Sequence, residues 1–258
     1  MIKAVFFDID GTILSHKTNG VPASTRRALE LLREQGILTF IATGRHRSML
    51  RQMAPLAGLH FDGTISLNGQ YCYHDDGLIC HCPMEPDSIA RLLDYLKEDP
   101  HPCMLVEEDR MYINFHNALV EKVHAAIHSA MPAIGDLDRG YTVPIYQAIL
   151  YMSDENLAKL PPLPGIRLTR WNQGGADLIP ADGGKAAGIA KVLAHYGIDK
   201  RDTMAFGDGE NDVDMLHAVG TAVAMGNACR EAKAAADYIT DDIDNDGIWN
   251  ALKHFGVL

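Results

Sequence analysis

The segment Val5-Phe6-Phe7-Asp8-Ile9-Asp10-Gly11-Thr12 narrows the possible folds sharply. An apolar run that ends in two carboxylates reads as a buried strand carrying charge to its C-terminal edge. Side chains alternate faces in an extended strand, so Asp8 and Asp10 are expected to point the same way. Two carboxylates that close need a cation, a shared proton or a reaction to hold them together. Gly11 lets the backbone turn tightly or approach a ligand. The combination suits a hard cation and a phosphate; an ordinary strand end with an acidic turn is the alternative.

The residues that follow alternate between helix and strand patterns. Thr25 to Gln35 places Ala28, Leu29, Leu31 and Leu32 on one helical face, with Ser24 as a candidate N-cap and Gly36 as a stop. Ile37 to Ala42 is a nearly continuous apolar run, as for a strand covered on both faces, and it ends at Thr43-Gly44-Arg45. A helical segment is expected from there to about Ala57, and a third strand over Gly63 to Leu67, ending at Asn68-Gly69. This βαβαβ order implies parallel strands with right-handed crossovers, in which ligands bind beyond the carboxyl ends of the strands. Asp8, Asp10 and Thr43 all fall at such ends.

The character changes from about Tyr71 to Ile179. Gln70–Tyr73 with Leu78–Cys82, Cys103–Glu107 with Met111–Phe115, and Gln147–Tyr151 read as antiparallel strands, and Ser88–Lys97 and Ala118–Ala130 as helices. The alternating pattern returns at Gly183, with a helix over Lys185–Tyr196 and a strand over Thr203–Phe206 ending at Gly207-Asp208-Gly209-Glu210-Asn211-Asp212. The expected fold class is therefore α/β: a Rossmann-like doubly wound parallel sheet with an inserted α+β cap. The boundaries are residues 1–82 and 183–258 for the core and 83–182 for the cap.

Composition removes some function classes. A net charge of −11, from 23 basic and 34 acidic residues, lacks the basic stripe that nucleic-acid binding needs. The chain shows neither an apolar run long enough for a bilayer nor the pattern of a secretory signal, so a soluble cytoplasmic protein without a membrane partner is expected. Five cysteines, an odd number, point to reduced thiols. Cys80-His81-Cys82 with Cys72 and His74 lacks the usual spacing of zinc ligands, and reduced thiols in a hairpin are the expectation.

Asp8 with Asp10, Thr43, Lys185, and Asp208 with Asp212 each lie just beyond an apolar run or at a helix start. Taken together, Asp8-x-Asp10-Gly11-Thr12, Thr43-Gly44-Arg45, Lys185 and Gly207-Asp208-Gly209-Glu210-Asn211-Asp212 resemble the four motifs of the haloacid dehalogenase-like superfamily. The large insert resembles that of the Cof-type, class IIB sugar phosphatases. The resemblance implies a Mg²⁺-dependent phosphatase of small cytosolic phosphomonoesters, with sugar phosphates as the expected class.

By that resemblance Asp8 is the nucleophile that forms an aspartyl-phosphate, and Asp10 is the general acid/base. Asp8, Asp208 and the backbone carbonyl of Asp10 are the implied metal ligands. Asp212 either orients Lys185 or a bound water, or coordinates directly. Thr43 and the Gly44 N–H would hold a phosphate oxygen, Lys185 would neutralise charge, and Asn211 would touch substrate or hold its loop. Asn68-Gly69 is either a substrate contact or a structural turn. Arg45 and His46 are candidates to face the cleft. Asp177, where many relatives carry Glu, and Arg170, Trp171 and Asn172 are candidates for recognising substrate. A phosphomutase, and a non-catalytic sensor of a phosphometabolite, are the alternatives. The expected partner is a small phosphorylated metabolite, and the expected assembly a monomer or small homo-oligomer.

Overall fold

The structure is a computed structural model that describes residues 1–126, 129–172 and 174–258, with the side chains of 170–172 outside the description. Its strands are β1 (Ala4–Phe7), β2 (Leu38–Ala42), β3 (Gly63–Ser66), β4 (Tyr71–His74), β5 (Gly77–His81), β6 (Cys103–Val106), β7 (Met111–Ile113), β8 (Gln147–Leu150), β9 (Ile166–Asn172), β10 (Gly175–Pro180), β11 (Thr203–Gly207), β12 (Thr221–Ala224) and β13 (Tyr238–Ile239). Two compact units result: Met1–His81 with Gly183–Leu258, and Cys82–Asp182.

The first unit is built on an eight-stranded sheet in the order β13-β12-β11-β1-β2-β3-β4-β5. The six strands from β13 to β3 pair in parallel, and the β4–β5 hairpin adds antiparallel strands at one edge. Strand β1 is central and fully buried, which explains its unbroken apolar run. Successive residues face opposite sides, so Phe6 stacks on its register partner Phe40 at 5.0 Å and Phe7 on Phe206 at 5.2 Å. Each stack adds about 0.5–1.5 kcal/mol beyond area burial and clamps β1 between β2 and β11. The order reverses at β1, because the chain moves outward through β2 and β3 and later returns on its other side through β11. That reversal is the switch point expected to open a ligand crevice.

The second unit carries a five-stranded sheet in the order β7-β6-β8-β10-β9, antiparallel throughout. The helix Pro86–Glu98 buries Ile89, Leu92, Leu93 and Leu96 in a cluster with Leu105, Ala148, Leu150 and Leu178. No helix among the described residues is long and apolar enough to cross a membrane.

Several local expectations are corrected. The helix expected to reach Ala57 lasts one turn, Arg47–Leu50, followed by a 3₁₀ turn at Ala54–Leu56. Pro55 lacks an N–H and disfavours α geometry in the residue before it. Pro22, not Ser24, stands at the N-cap of the helix Ala23–Glu34, because its extended backbone lets the helix start two residues earlier. The change of character at Tyr71 marks a hairpin that still belongs to the core sheet through the β3–β4 pairing. Strands β9 and β10, a long antiparallel pair, were missed.

Candidate active site

The ends of β1, β2 and β11 and the start of the helix Lys185–Tyr196 converge on a cavity of about 290 Å³. It is lined by Asp8, Asp10, Thr43, Gly44, Arg45, Met49, Asp208, Gly209 and Asn211. Strand β1 stops at Phe7, so Asp8 and Asp10 are not consecutive outward positions of one strand as expected, although both reach the same cavity. The tight turn after Asp10 redirects the chain: the Gly11 N–H donates to Leu14 O at 2.9 Å, with Gly11 at φ +86°.

Asp8 and Asp10 have different cationic partners. Lys185, wholly buried at the first position of its helix, donates through Nζ to Asp8 Oδ1 at 2.6 Å and to Asp212 Oδ1 at 2.5 Å. Asp10 instead accepts a bidentate pair from Arg45, Nε to Oδ2 at 2.6 Å and Nη2 to Oδ1 at 2.7 Å. The second oxygen of Asp8 takes no hydrogen bond among the described residues. Sequence reasoning placed Arg45 only at the cleft; its grip on Asp10 bridges 35 positions and leaves no local signal.

Asp208, just beyond β11, accepts from the Thr12 hydroxyl at 2.9 Å. Thr12 is wholly buried, and its role was not read from the sequence. A Cβ at Gly11 would lie 2.2 Å from Asp208 Oδ2, so only glycine lets the two loops meet. Asp212 Oδ2 accepts from the N–H groups of Asp208 and Gly209, both at 2.9 Å. With Lys185 on its other oxygen, Asp212 is fully engaged in positioning the loop and the ammonium. Asn227, also missed, ties the first turn to a later one: its Nδ2 donates to Gly11 O at 2.8 Å, and its Oδ1 accepts from Ile243 N at 3.0 Å.

Burial sets the electrostatics. It pushes the Asp8 carboxyl up to about 8 against the pull of Lys185, and Asp212 and Asp208 push the same way. Burial likewise raises Asp208 to about 6, opposed by the Thr12 hydrogen bond. Burial works against the Lys185 ammonium, but the charges of Asp8 and Asp212 outweigh it and raise its pKa. Two carboxylates thus hold the ammonium, and oxygens of Asp8, Asp208 and Asp212 lie mutually within 4.8 Å. An all-oxygen donor set with surplus negative charge fits a hard divalent cation.

Thr43 is buried, and its Oγ1 accepts from Arg45 N at 3.2 Å, which leaves the hydroxyl hydrogen to donate into the cavity beside the Gly44 N–H. Asn68 adopts φ +50° and lies over Gly44, where a Cβ would meet its amide at 3.1 Å; its Oδ1 is buried without a partner. His46 does not line the cavity. It is buried and caps the short helix, its Nδ1 accepting from Ser48 N at 3.2 Å. Asp177 sits on β10 of the second unit, in register with Ile149 and Thr169. The side chains of Arg170, Trp171 and Asn172 lie outside the described residues. A larger cavity, about 570 Å³, opens at the opposite ends of the strands and is lined in part by Ile2, Ile37, Met204 and Phe255. It holds none of these groups.

Comparison with known proteins gives the family. A family model described as haloacid dehalogenase-like hydrolase matches residues 5–252. The chain belongs to the haloacid dehalogenase-like hydrolase family and is an enzyme of its phosphatase branch. It is 38% identical to the Bacillus subtilis (strain 168) protein named "Putative phosphatase YkrA", over 99% of this chain and 98% of that one. Among solved structures it resembles BT1666 of Bacteroides thetaiotaomicron, one of the phosphatases of the haloalkanoate superfamily. That match has a TM-score of 0.90 and 33% identity over 100% of this chain and 96% of the other. The subclass IIB sugar phosphatase BT4131 matches with a TM-score of 0.82 and 34% identity, over 99% and 100% of the two chains.

Proposed function

We propose that this enzyme is a Mg²⁺-dependent phosphatase that hydrolyses small phosphomonoesters of the sugar-phosphate class through a phosphoryl group carried on Asp8. One observation carries the reading: Asp8 keeps one oxygen on Lys185, and it lines the same cavity as Thr43 and Gly44. The Asp8 carboxylate attacks phosphorus while the P–O bond to the leaving alcohol breaks. Asp10 supplies the proton to the departing oxygen and then takes one from the water that attacks the phosphoryl-enzyme. Lys185, Thr43 and the Gly44 N–H hold the transferring group as its charge redistributes. Asp8, Asp208 and the backbone carbonyl of Asp10 would hold Mg²⁺, which supplies the positive charge that lets two anions approach. The sugar-phosphate class comes from the likeness to BT4131.

The direct test is phosphate release from sugar phosphates, nucleotides and an aryl phosphate, with and without Mg²⁺. Turnover that depends on Mg²⁺ and prefers sugar phosphates supports the reading. Phosphate moved within a bisphosphorylated sugar with little release would make the protein a mutase, and binding without turnover a sensor.

Arg45 positions Asp10. Arg45→Ala is expected to lower kcat about 10- to 100-fold for alkyl phosphates, whose leaving oxygen needs a proton. An aryl phosphate leaves more readily and should lose much less. An equal loss on both substrates would remove Asp10 positioning as the role of Arg45.

A second expectation concerns metal and pH. A carboxyl whose pKa is higher folded than unfolded makes folding less favourable as pH rises between the two values. Here the intervals run from an ordinary 3.8 to about 8 for Asp8 and to about 6 for Asp208. Bound Mg²⁺ offsets that penalty, whereas protons compete with it. Saturating Mg²⁺ should therefore raise Tm more at pH 8 than at pH 5, and a gain of about 2.7 kcal/mol is expected at a hundredfold excess over Kd. Equal shifts at the two pH values would contradict these carboxylates as the ligands.

A further inference from the structure

The β4–β5 hairpin brings two cysteines face to face. Cys72 and Cys80 are direct register partners across the antiparallel pair. Such partners have Cα atoms about 4.5–5.5 Å apart, within the range a disulfide spans. The register slips immediately beyond Cys72, a bulge that interrupts the regular pairing beside the two thiols. Both thiols lie toward the helix Lys185–Tyr196. Cys72 Sγ stands 3.3 Å from where a Cβ on Gly188 would be, and Lys191 of the same helix acts on Cys80.

The two differ in access. Cys72 is wholly buried in the main core, whereas Cys80 is half-buried and only packs against it. Its hydrogen-bonding interaction with Cys72, whose Sγ also reaches Gly69 O at 3.7 Å, lowers the Cys80 thiol to about 7; burial opposes this and the charge of Lys191 assists it. Cys103 shows the contrast: with burial alone acting on it, its thiol is pushed up to about 12. A partly exposed thiolate beside a second thiol is the arrangement that reacts with peroxide and then closes.

We propose that Cys72 and Cys80 form a peroxide-oxidisable dithiol, in which Cys80 reacts first and Cys72 resolves it to a cross-strand disulfide. The Cys80 thiolate attacks one oxygen of a hydroperoxide; the S–O bond forms, the O–O bond breaks, and water or an alcohol leaves. Cys72 then attacks the sulfenic sulfur of Cys80; the S–S bond forms, the S–O bond breaks, and the hydroxyl leaves as water with the Cys72 proton. Two thiols lose two electrons and one peroxide gains them.

The test exposes the full-length protein to hydrogen peroxide, blocks remaining thiols in denaturant and maps the linked peptides by mass spectrometry. A Cys72–Cys80 link is expected in wild type and in Cys229→Ser. Cys80→Ser, a conservative change at a half-exposed position, should give no disulfide, and Cys72→Ala should stop at a sulfenic acid on Cys80 that dimedone traps. Without peroxide, iodoacetamide should label Cys80 at least about tenfold faster than Cys103, with a rate rising through pH 7. A disulfide through Cys82 or Cys229, or Cys80 labelling no faster than Cys103, would overturn the assignment. None of these readouts depends on phosphatase activity.

Discussion

Lys185→Met is expected to abolish phosphate release and to cost about 3–5 kcal/mol of stability. The ammonium is wholly buried and is the shared partner of Asp8 and Asp212. Methionine fills similar space but leaves two carboxylates beside each other without a counter-charge, the costly way to break a buried pair. Urea unfolding followed by circular dichroism measures the stability loss. Adding Asp212→Asn to Lys185→Met should return part of that loss, because it removes one orphaned charge, but it should not return activity. A single variant as stable as wild type would mean that Lys185 is not the electrostatic keystone of this site.

Asp8→Asn should behave in the opposite way. Turnover is expected to fall at least about 10⁴-fold, since the amide cannot act as nucleophile. Stability should be kept or raised at pH 8, because the substitution removes a carboxylate whose ionisation burial resists and leaves Lys185 paired with Asp212. A residue whose loss destroys activity without harming the fold is the mark of a functional group maintained at some cost in stability. A Tm well below wild type would instead make Asp8 a structural ion-pair partner.

How far the sequence reading reached depends on the range of each interaction. The apolar runs of β1 and β2 and the helical face of Ala28, Leu29, Leu31 and Leu32 are local patterns, and the structure reproduces them except that Leu31 is only half-buried. The strand-end rule then brought Asp8, Thr43 and Asp208 to one cavity, because parallel strands joined by crossovers open their carboxyl ends to the same side. What stayed hidden is carried by pairings that no local pattern reveals. The Thr12 to Asp208 bond spans 196 positions and the Asn227 to Gly11 bond 216. The partner of Asp10 was equally hidden: two carboxylates two residues apart read as a pair needing a cation, a shared proton or a reaction, and the structure gives Lys185 to one and Arg45 to the other. Strands β9 and β10 were missed for a different reason. Arg167, Thr169 and Arg170 dilute the apolar signal of β9, while its pairing with β10 supplies the order.

The central claim is that Asp8 carries the phosphoryl group, and the most direct measurement is to catch it there. Enzyme mixed with Mg²⁺ and a sugar phosphate it turns over, quenched in acid within milliseconds and digested, should yield a phosphorylated peptide. That peptide should contain Asp8 and lose its label to hydroxylamine, as an acyl phosphate does, and Arg45→Ala should still form it with an aryl phosphate. A label on another residue, or rapid turnover with no label on Asp8 at any quench time, would contradict the account.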